Sequence, residues 1–128
     1  MKTIKRWAPL VLWIVIIFGL SSVPDISGKG ISFPAGTDKV VHFLEYAVLA
    51  LLLYRGAAYG KTKPGISRGV ISLFVAAGIA LMDEYYQSFI PGRDASFLDL
   101  MADLLGIITG NAVYYFFRAT SSRRYRRE

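Results

Sequence analysis

The chain has 128 residues, of which 54% are hydrophobic and 19% charged, with a formal net charge of +6 and a mean hydropathy of +0.42. That length holds one domain, and a positive mean hydropathy argues against a water-soluble bundle, whose surface would need far more polar residues. Cysteine is absent, which excludes disulfides, thiolate metal ligands and a thiol nucleophile.

The apolar residues fall in four blocks, at residues 7–23, 39–59, 69–90 and 97–117. Each is roughly 17 to 22 residues long, enough for a helix rising about 1.5 Å per residue to cross a hydrocarbon core of about 30 Å. The expected fold is therefore all-α, a four-helix transmembrane bundle in a single integral membrane domain. The first block, "WAPLVLWIVIIFGL", has no ionisable side chain, only Trp7 and Trp13 with polar edges, and reads as a scaffold span. Lys2, Lys5 and Arg6 ahead of it resemble the basic start of a signal peptide. No convincing small-x-small cleavage site follows, because Pro24 and Asp25 crowd the position, so the block is expected to stay as a span.

"SSVPDISGKGISFPAGTDK" lacks any periodic pattern and reads as an irregular loop, ended by Pro34 and Gly36, with Thr37 or Asp38 expected to cap the second span. "RGAAYGKTKPGISR" turns the chain at Gly60, Pro64 and Gly65. "PGRDAS" turns it again, with Ser96 available to cap the fourth span.

Charge is sorted by segment. The N-terminus (Lys2, Lys5, Arg6), the second connection (Arg55, Lys61, Lys63, Arg68) and the tail (Arg118, Arg123, Arg124, Arg126, Arg127) hold twelve of the fifteen basic residues, and only Glu128 among the nine acids joins them. The positive-inside rule makes these segments cytoplasmic, which requires an even number of spans and puts both termini inside. The other face carries Lys39, Lys29 and Arg93 against eight acids. A strongly positive inner face suits anionic lipid headgroups, so the net charge is a topology signal and not a nucleic-acid one. The tail reads as a topology anchor.

On a helical wheel of 100° per residue, the polar residues of each later span share one side. Lys39, His42, Glu45 and Tyr46 lie within about 120° on the second span. Asp83, Glu84 and Gln87 share a side of the third, with Ala76 and Ala80 continuing the stripe. Asp99 and Asp103 lie about 40° apart on the fourth, continued by Gly106 and Gly110. The small pairs are expected to pack spans three and four closely below a polar mouth. Glu45, Asp83 and Asp103 fall at one depth, roughly 10 Å in from the outer end, with Lys39, Gln87 and Asp99 in a layer nearer the surface.

An ionisable group near the centre of a span costs about 2.5–3.5 kcal/mol on insertion scales, so these acids are expected to face one another, a cation or water. Lys39, Arg93 and His42 cannot neutralise so many carboxylates. Raised carboxyl pKa values or a divalent cation, held by Glu45, Asp83 and Asp103, would meet the deficit. As a working site, Glu45, Asp83, Glu84 and His42 are the expected catalytic groups. Lys39, Gln87, Arg93, Tyr46, Asp99 and Asp103 are the expected substrate contacts, the two cations taking an anionic headgroup. A self-satisfied network holding the helices in register is the alternative. No Gly-x-Ser-x-Gly or His-Glu-x-x-His motif occurs, and neither Ser88 nor Ser96 has a histidine partner in sequence.

"DKVVHFLEYAVLALLL", "DEYYQSFIPGR" and "SFLDLMADLLGIITG" together resemble the VanZ-like family of small bacterial membrane proteins, over residues 38–110. The motifs are Lys-x-x-His-x-x-Glu-Tyr, Asp-Glu-x-x-Gln, Pro-Gly-Arg and Asp-x-x-x-Asn/Asp-x-x-Gly. The resemblance carries over onto Lys39, His42, Glu45, Tyr46, Asp83, Glu84, Gln87, Pro91, Gly92, Arg93, Asp99, Asp103 and Gly106. Asp103 departs from the asparagine frequent in the family and adds a charge. The resemblance implies the bacterial cytoplasmic (inner) membrane and a cell-envelope role, and its name is tied to resistance to the glycopeptide teicoplanin. The expected partners are the lipid bilayer and a lipid-linked or peptidoglycan-precursor ligand, with binding and catalysis both open.

Overall fold

In a computed structural model of the chain, residues 2–24, 34–61, 63–93 and 96–124 are described. Among them the secondary structure is helical throughout, with four helices: α1 (Lys2–Ser21), α2 (Thr37–Ala57), α3 (Ile66–Gln87) and α4 (Phe97–Arg124). All four are long and apolar enough to cross a membrane, which marks a multi-pass membrane protein.

Several boundaries differ from the sequence expectation. α1 starts at Lys2, five residues before the apolar block, because the basic residues Lys5 and Arg6 are good helix formers and simply continue it. α3 ends at Gln87, three residues early, where the chain tightens ahead of Pro91 and turns through Gly92 at φ 78°. α4 runs on through polar residues to Arg124. The cap of α2 is Gly36, in the left-handed region at φ 84°, and not Thr37 or Asp38, which lie in the first turn. Thr37 donates its hydroxyl back to the Pro34 carbonyl at 2.8 Å instead. Ser96 does precede α4, its carbonyl accepting from the Asp99 and Leu100 amides. Residues 25–33, most of the first connection, lie outside the described residues.

The helices alternate in direction. α2 and α3 form the middle of the bundle, α4 packs mainly on α2, and α1 lies against α2 and α3 without reaching α4. The buried apolar residues include Leu10 and Ile17 of α1, Tyr46, Leu49, Ala50 and Leu53 of α2, Ala76 and Ala80 of α3 and Ile107 of α4. Large apolar side chains such as Leu12, Val15, Phe74, Leu81, Leu105 and Phe116 point outward, far more apolar surface than a water-soluble monomer presents. Five acids, Glu45, Asp83, Glu84, Asp99 and Asp103, are buried instead, Asp83 and Asp103 completely.

The closest helix pair is α2 and α4. A Cβ built on Gly106 would collide with the Phe43 carbonyl, and one on Gly110 with the Ala47 carbonyl. The glycines therefore let backbone touch backbone, a contact available only to the smallest residue. The small-residue stripe of α4 thus faces α2, where a contact with α3 was expected; the wheel gives the face of a stripe but not the neighbour that fills it. Polar cross-links add to the packing: Ser72 donates to the Ala50 carbonyl at 3.0 Å and Trp13 to the Glu45 carbonyl at 2.9 Å.

At the end opposite the acids, arginines meet carbonyls at and just beyond the end of α2. Arg6 donates to the Gly56 carbonyl at 2.7 Å and Arg118 to the Lys61 carbonyl at 2.6 Å. Cations are favoured there by the negative end of the helix dipole.

Gly106→Ala should lower the thermal midpoint of the detergent-solubilised protein, a loss on the order of 1–3 kcal/mol from overpacking against fixed backbone. Gly78→Ala, with nothing within 4 Å of the added Cβ, should leave it unchanged or raise it. Equal effects of the two would remove the close-contact argument.

Candidate functional site

One end of the bundle, formed by the N-terminal halves of α2 and α4 and the C-terminal half of α3, gathers the polar residues expected from sequence. Each helix supplies them from one face, so folding the three faces together brings side chains separated by up to about sixty residues into one cluster. His42, Glu45 and Tyr46 come from α2, Asp83, Glu84 and Gln87 from α3, and Asp99 and Asp103 from α4, all buried.

The cluster has three parts. At the rim, Lys39 bridges Asp38 at 2.7 Å and Asp99 at 3.0 Å, tying α2 to α4. In the centre, His42 Nδ1 lies 3.0 Å from Asp103 Oδ1 and 3.9 Å from Glu84 Oε1, so one imidazole meets carboxylates from both other helices. The second oxygen of Glu84 accepts from the Ser96 amide at 3.0 Å, which fixes the side chain against the start of α4. The third part faces α1. Gln87 donates to Asp83 Oδ2 at 3.1 Å and to the Ser21 hydroxyl at 3.2 Å, and accepts from Arg93 Nη1 at 3.2 Å. Arg93 also donates to the Val23 carbonyl at 3.0 Å and the Leu20 carbonyl at 3.4 Å, closing the C-terminal end of α1.

Glu45 and Tyr46 line the same interior. Their charge environment includes His42, Asp83 and Asp103 for Glu45, and Asp83 and Asp103 for Tyr46. Glu45 Oε1, Tyr46 Oη, Asp83 Oδ1, Glu84 Oε1 and Asp103 Oδ2 are all buried without a hydrogen-bond partner. Five such atoms in one cluster is far from the rule that buried polar groups are satisfied.

The expected site residues thus come together, but in a different arrangement. Among the described residues, the metal-compatible group of ligand atoms is His42, Glu84 and Asp103. It shares Asp103 with the trio expected from depth, while Glu45 and Asp83 lie outside it. Depth along a helix orders residues by height and does not distinguish which side chains point at a common centre. Arg93, expected as an anion contact, is engaged by carbonyls and by Gln87. Sequence reasoning also missed Ser21, which shares a stripe with Leu10 and Ile17; with no charge in α1 after Arg6, nothing in that part of its sequence told the buried face from the lipid face.

Against this geometry, comparison with known families gives one result: the VanZ/LLP1 family matches residues 2–118. The chain belongs to the VanZ/LLP1 family. The match takes in all four helices nearly to the end of α4. No curated protein and no solved structure matches the chain. Family membership leaves the chemistry to be read from the cluster itself, since fold alone does not fix function.

Arg93→Met removes a charged donor from three acceptors at once. It should lower the thermal midpoint by an amount on the order of 1–3 kcal/mol, with Arg93→Lys intermediate because one ammonium cannot reach Gln87 and the α1 carbonyls together. A midpoint unchanged in Arg93→Met would show that these contacts do not hold α1 to the bundle.

Proposed function

We propose that this VanZ/LLP1 protein sits in the bacterial cytoplasmic membrane with both termini inside. Its acid-rich cluster then opens toward the extracytoplasmic side, where it takes a lipid-linked or cell-wall-derived anionic molecule. The observation that carries this reading is the burial of five carboxylates and a histidine at the end of the bundle away from Arg6 and Arg118. By the positive-inside rule the arginine end is cytoplasmic, so the cluster is external. Buried ionisable groups in membrane helices are costly and usually mark a working site. Lys39, a third exposed at the rim, is the group placed to meet an incoming anionic headgroup. Inside, His42, Glu84 and Glu45 are placed to move a proton or hold an ion, and phosphoryl or acyl chemistry on a headgroup is the reaction class they fit. The family name adds a link to glycopeptide resistance and the cell envelope.

A second reading, a non-enzymatic envelope protein that binds or scaffolds, is favoured by one observation. Arg93, Gln87, Asp83 and Ser21 form a network whose visible effect is to tie α1 to α3.

Orientation is tested with Ser88→Cys, which places a single exposed cysteine just beyond α3 in a chain that otherwise has none. A membrane-impermeant maleimide should label it in intact cells; labelling only after permeabilisation would reverse the topology and with it the external site. For the ligand, lipid extracted with the purified protein should be enriched in phosphate-bearing anionic species over the bulk membrane. Lys39→Ala should lose that enrichment while still purifying as folded protein, and enrichment equal in both would sink the anionic-ligand reading.

A further inference from the structure

We propose that His42, Glu84 and Asp103 form a binding site for one divalent transition-metal ion, Zn²⁺ or Mn²⁺, in the interior of the polar cluster. The three come from α2, α3 and α4 and are 6%, 7% and 0% exposed. One ligand atom from each lies within 4.8 Å of the others. Two of the separations, 3.0 Å from His42 Nδ1 to Asp103 Oδ1 and 3.9 Å to Glu84 Oε1, bracket the ligand-to-ligand edge of roughly 3.3–3.6 Å expected around a tetrahedral ion with bonds of about 2.0–2.2 Å. A small adjustment of side chains would admit the ion in place of the direct contact between His42 and Asp103.

A second observation points the same way. Glu84 Oε1 and Asp103 Oδ2 are buried and accept no hydrogen bond. The other oxygen of Glu84 is anchored by the Ser96 amide, so that carboxylate is oriented through one oxygen and free at the other. Carboxylates held in this way are preorganised ligands. Glu45 Oε1 and Asp83 Oδ1, also buried and unpartnered, add to the negative field around the centre. Among the described residues at this end, the other cations are engaged elsewhere, Lys39 with Asp38 and Asp99 and Arg93 with Gln87 and carbonyls. The cluster therefore holds more acceptor oxygens than donors to satisfy them, which a cation resolves and another hydrogen-bond acceptor would not.

The donor set selects the ion. One imidazole and two carboxylates suit Zn²⁺ or Mn²⁺ better than the all-oxygen preference of Ca²⁺ or Mg²⁺, and no sulfur is present to draw Cu⁺. Three protein ligands leave a coordination position open. An ion there would supply the positive charge that the engaged Arg93 does not, and so deepens the reading of an anionic ligand; the metal site itself does not depend on that reading.

The test uses the full chain, purified in detergent without a histidine tag and stripped with a chelator. Titration with Zn²⁺ or Mn²⁺ should give one site per chain, raise the thermal midpoint, and weaken at least tenfold in His42→Ala, Glu84→Gln and Asp103→Asn. His42 is the single histidine of the chain, so pulsed electron paramagnetic resonance of bound Mn²⁺ should show coupling to an imidazole nitrogen in the wild-type protein. That readout holds even where a variant fails to fold. Absence of one-site binding of either ion, or Mn²⁺ binding with no nitrogen coupling, would overturn the proposal. Metal binding without anionic-lipid enrichment would defeat the functional reading alone, and enrichment without metal binding would defeat this site alone.

Discussion

The contact between α2 and α4 at Gly106 and Gly110 sets the register on which the rest of the molecule depends. Phe43 and Ala47 present carbonyls to the two glycines, one helical turn apart on each helix. His42 is the neighbour of Phe43, and Asp103 lies three residues before Gly106. Backbone contact at the glycines therefore brings His42 against Asp103 at 3.0 Å. A larger residue at Gly106 would push the helices apart by more than a hydrogen bond tolerates, so the packing of the apolar half and the geometry of the polar half are one constraint.

A second constraint is the backbone at the helix ends. The last carbonyls of a helix have no partner within it, and in a bundle this short those ends lie close to the charged residues. Arginines meet that need at both ends: Arg93 at the end of α1, Arg6 and Arg118 at and beyond the end of α2. Arg93 joins the two requirements, since the guanidinium that closes α1 also holds Gln87, which holds Asp83 and Ser21. The fork geometry of arginine makes that branching possible where a lysine would reach one acceptor.

These two constraints explain what could be read from the chain. Four helices, their alternation and the membership of the polar cluster follow from apolar block length and from the 100° spacing of Lys39, His42, Glu45 and their counterparts, because period and length act within a segment. Contacts between segments were less legible. The face of Gly106 and Gly110 was clear, but its partner is α2, and that depends on which helix offers a carbonyl at the right height. The trio whose ligand atoms converge has His42 and Glu84 where depth suggested Glu45 and Asp83; Asp83 and Glu84, neighbours in sequence, point about 100° apart, and only the packed bundle selects one. Ser21 was invisible for a related reason, its helix having no charge after Arg6 to mark the buried side.

Charge placement and helix direction reinforce each other along the bundle axis. At the acidic end the positive ends of two helix dipoles, α2 and α4, meet the carboxylates, and the Ser96 amide at the start of α4 binds Glu84 directly. At the other end the C-terminus of α2 meets arginines. An up-and-down arrangement of four helices forces two N-termini to each end of the bundle, so dipoles alone do not separate the charges. What separates them is that α2 and α4, the closest pair, both start at the acidic end and bury His42, Asp99 and Asp103 within their first two turns. Desolvated carboxylates accumulate where paired helix starts and a shared imidazole partly offset their burial, and the oxygens left unpartnered lie at the same place. The acids are therefore concentrated by the same packing that makes the bundle close, which is why the polar site cannot be loosened without also loosening the fold.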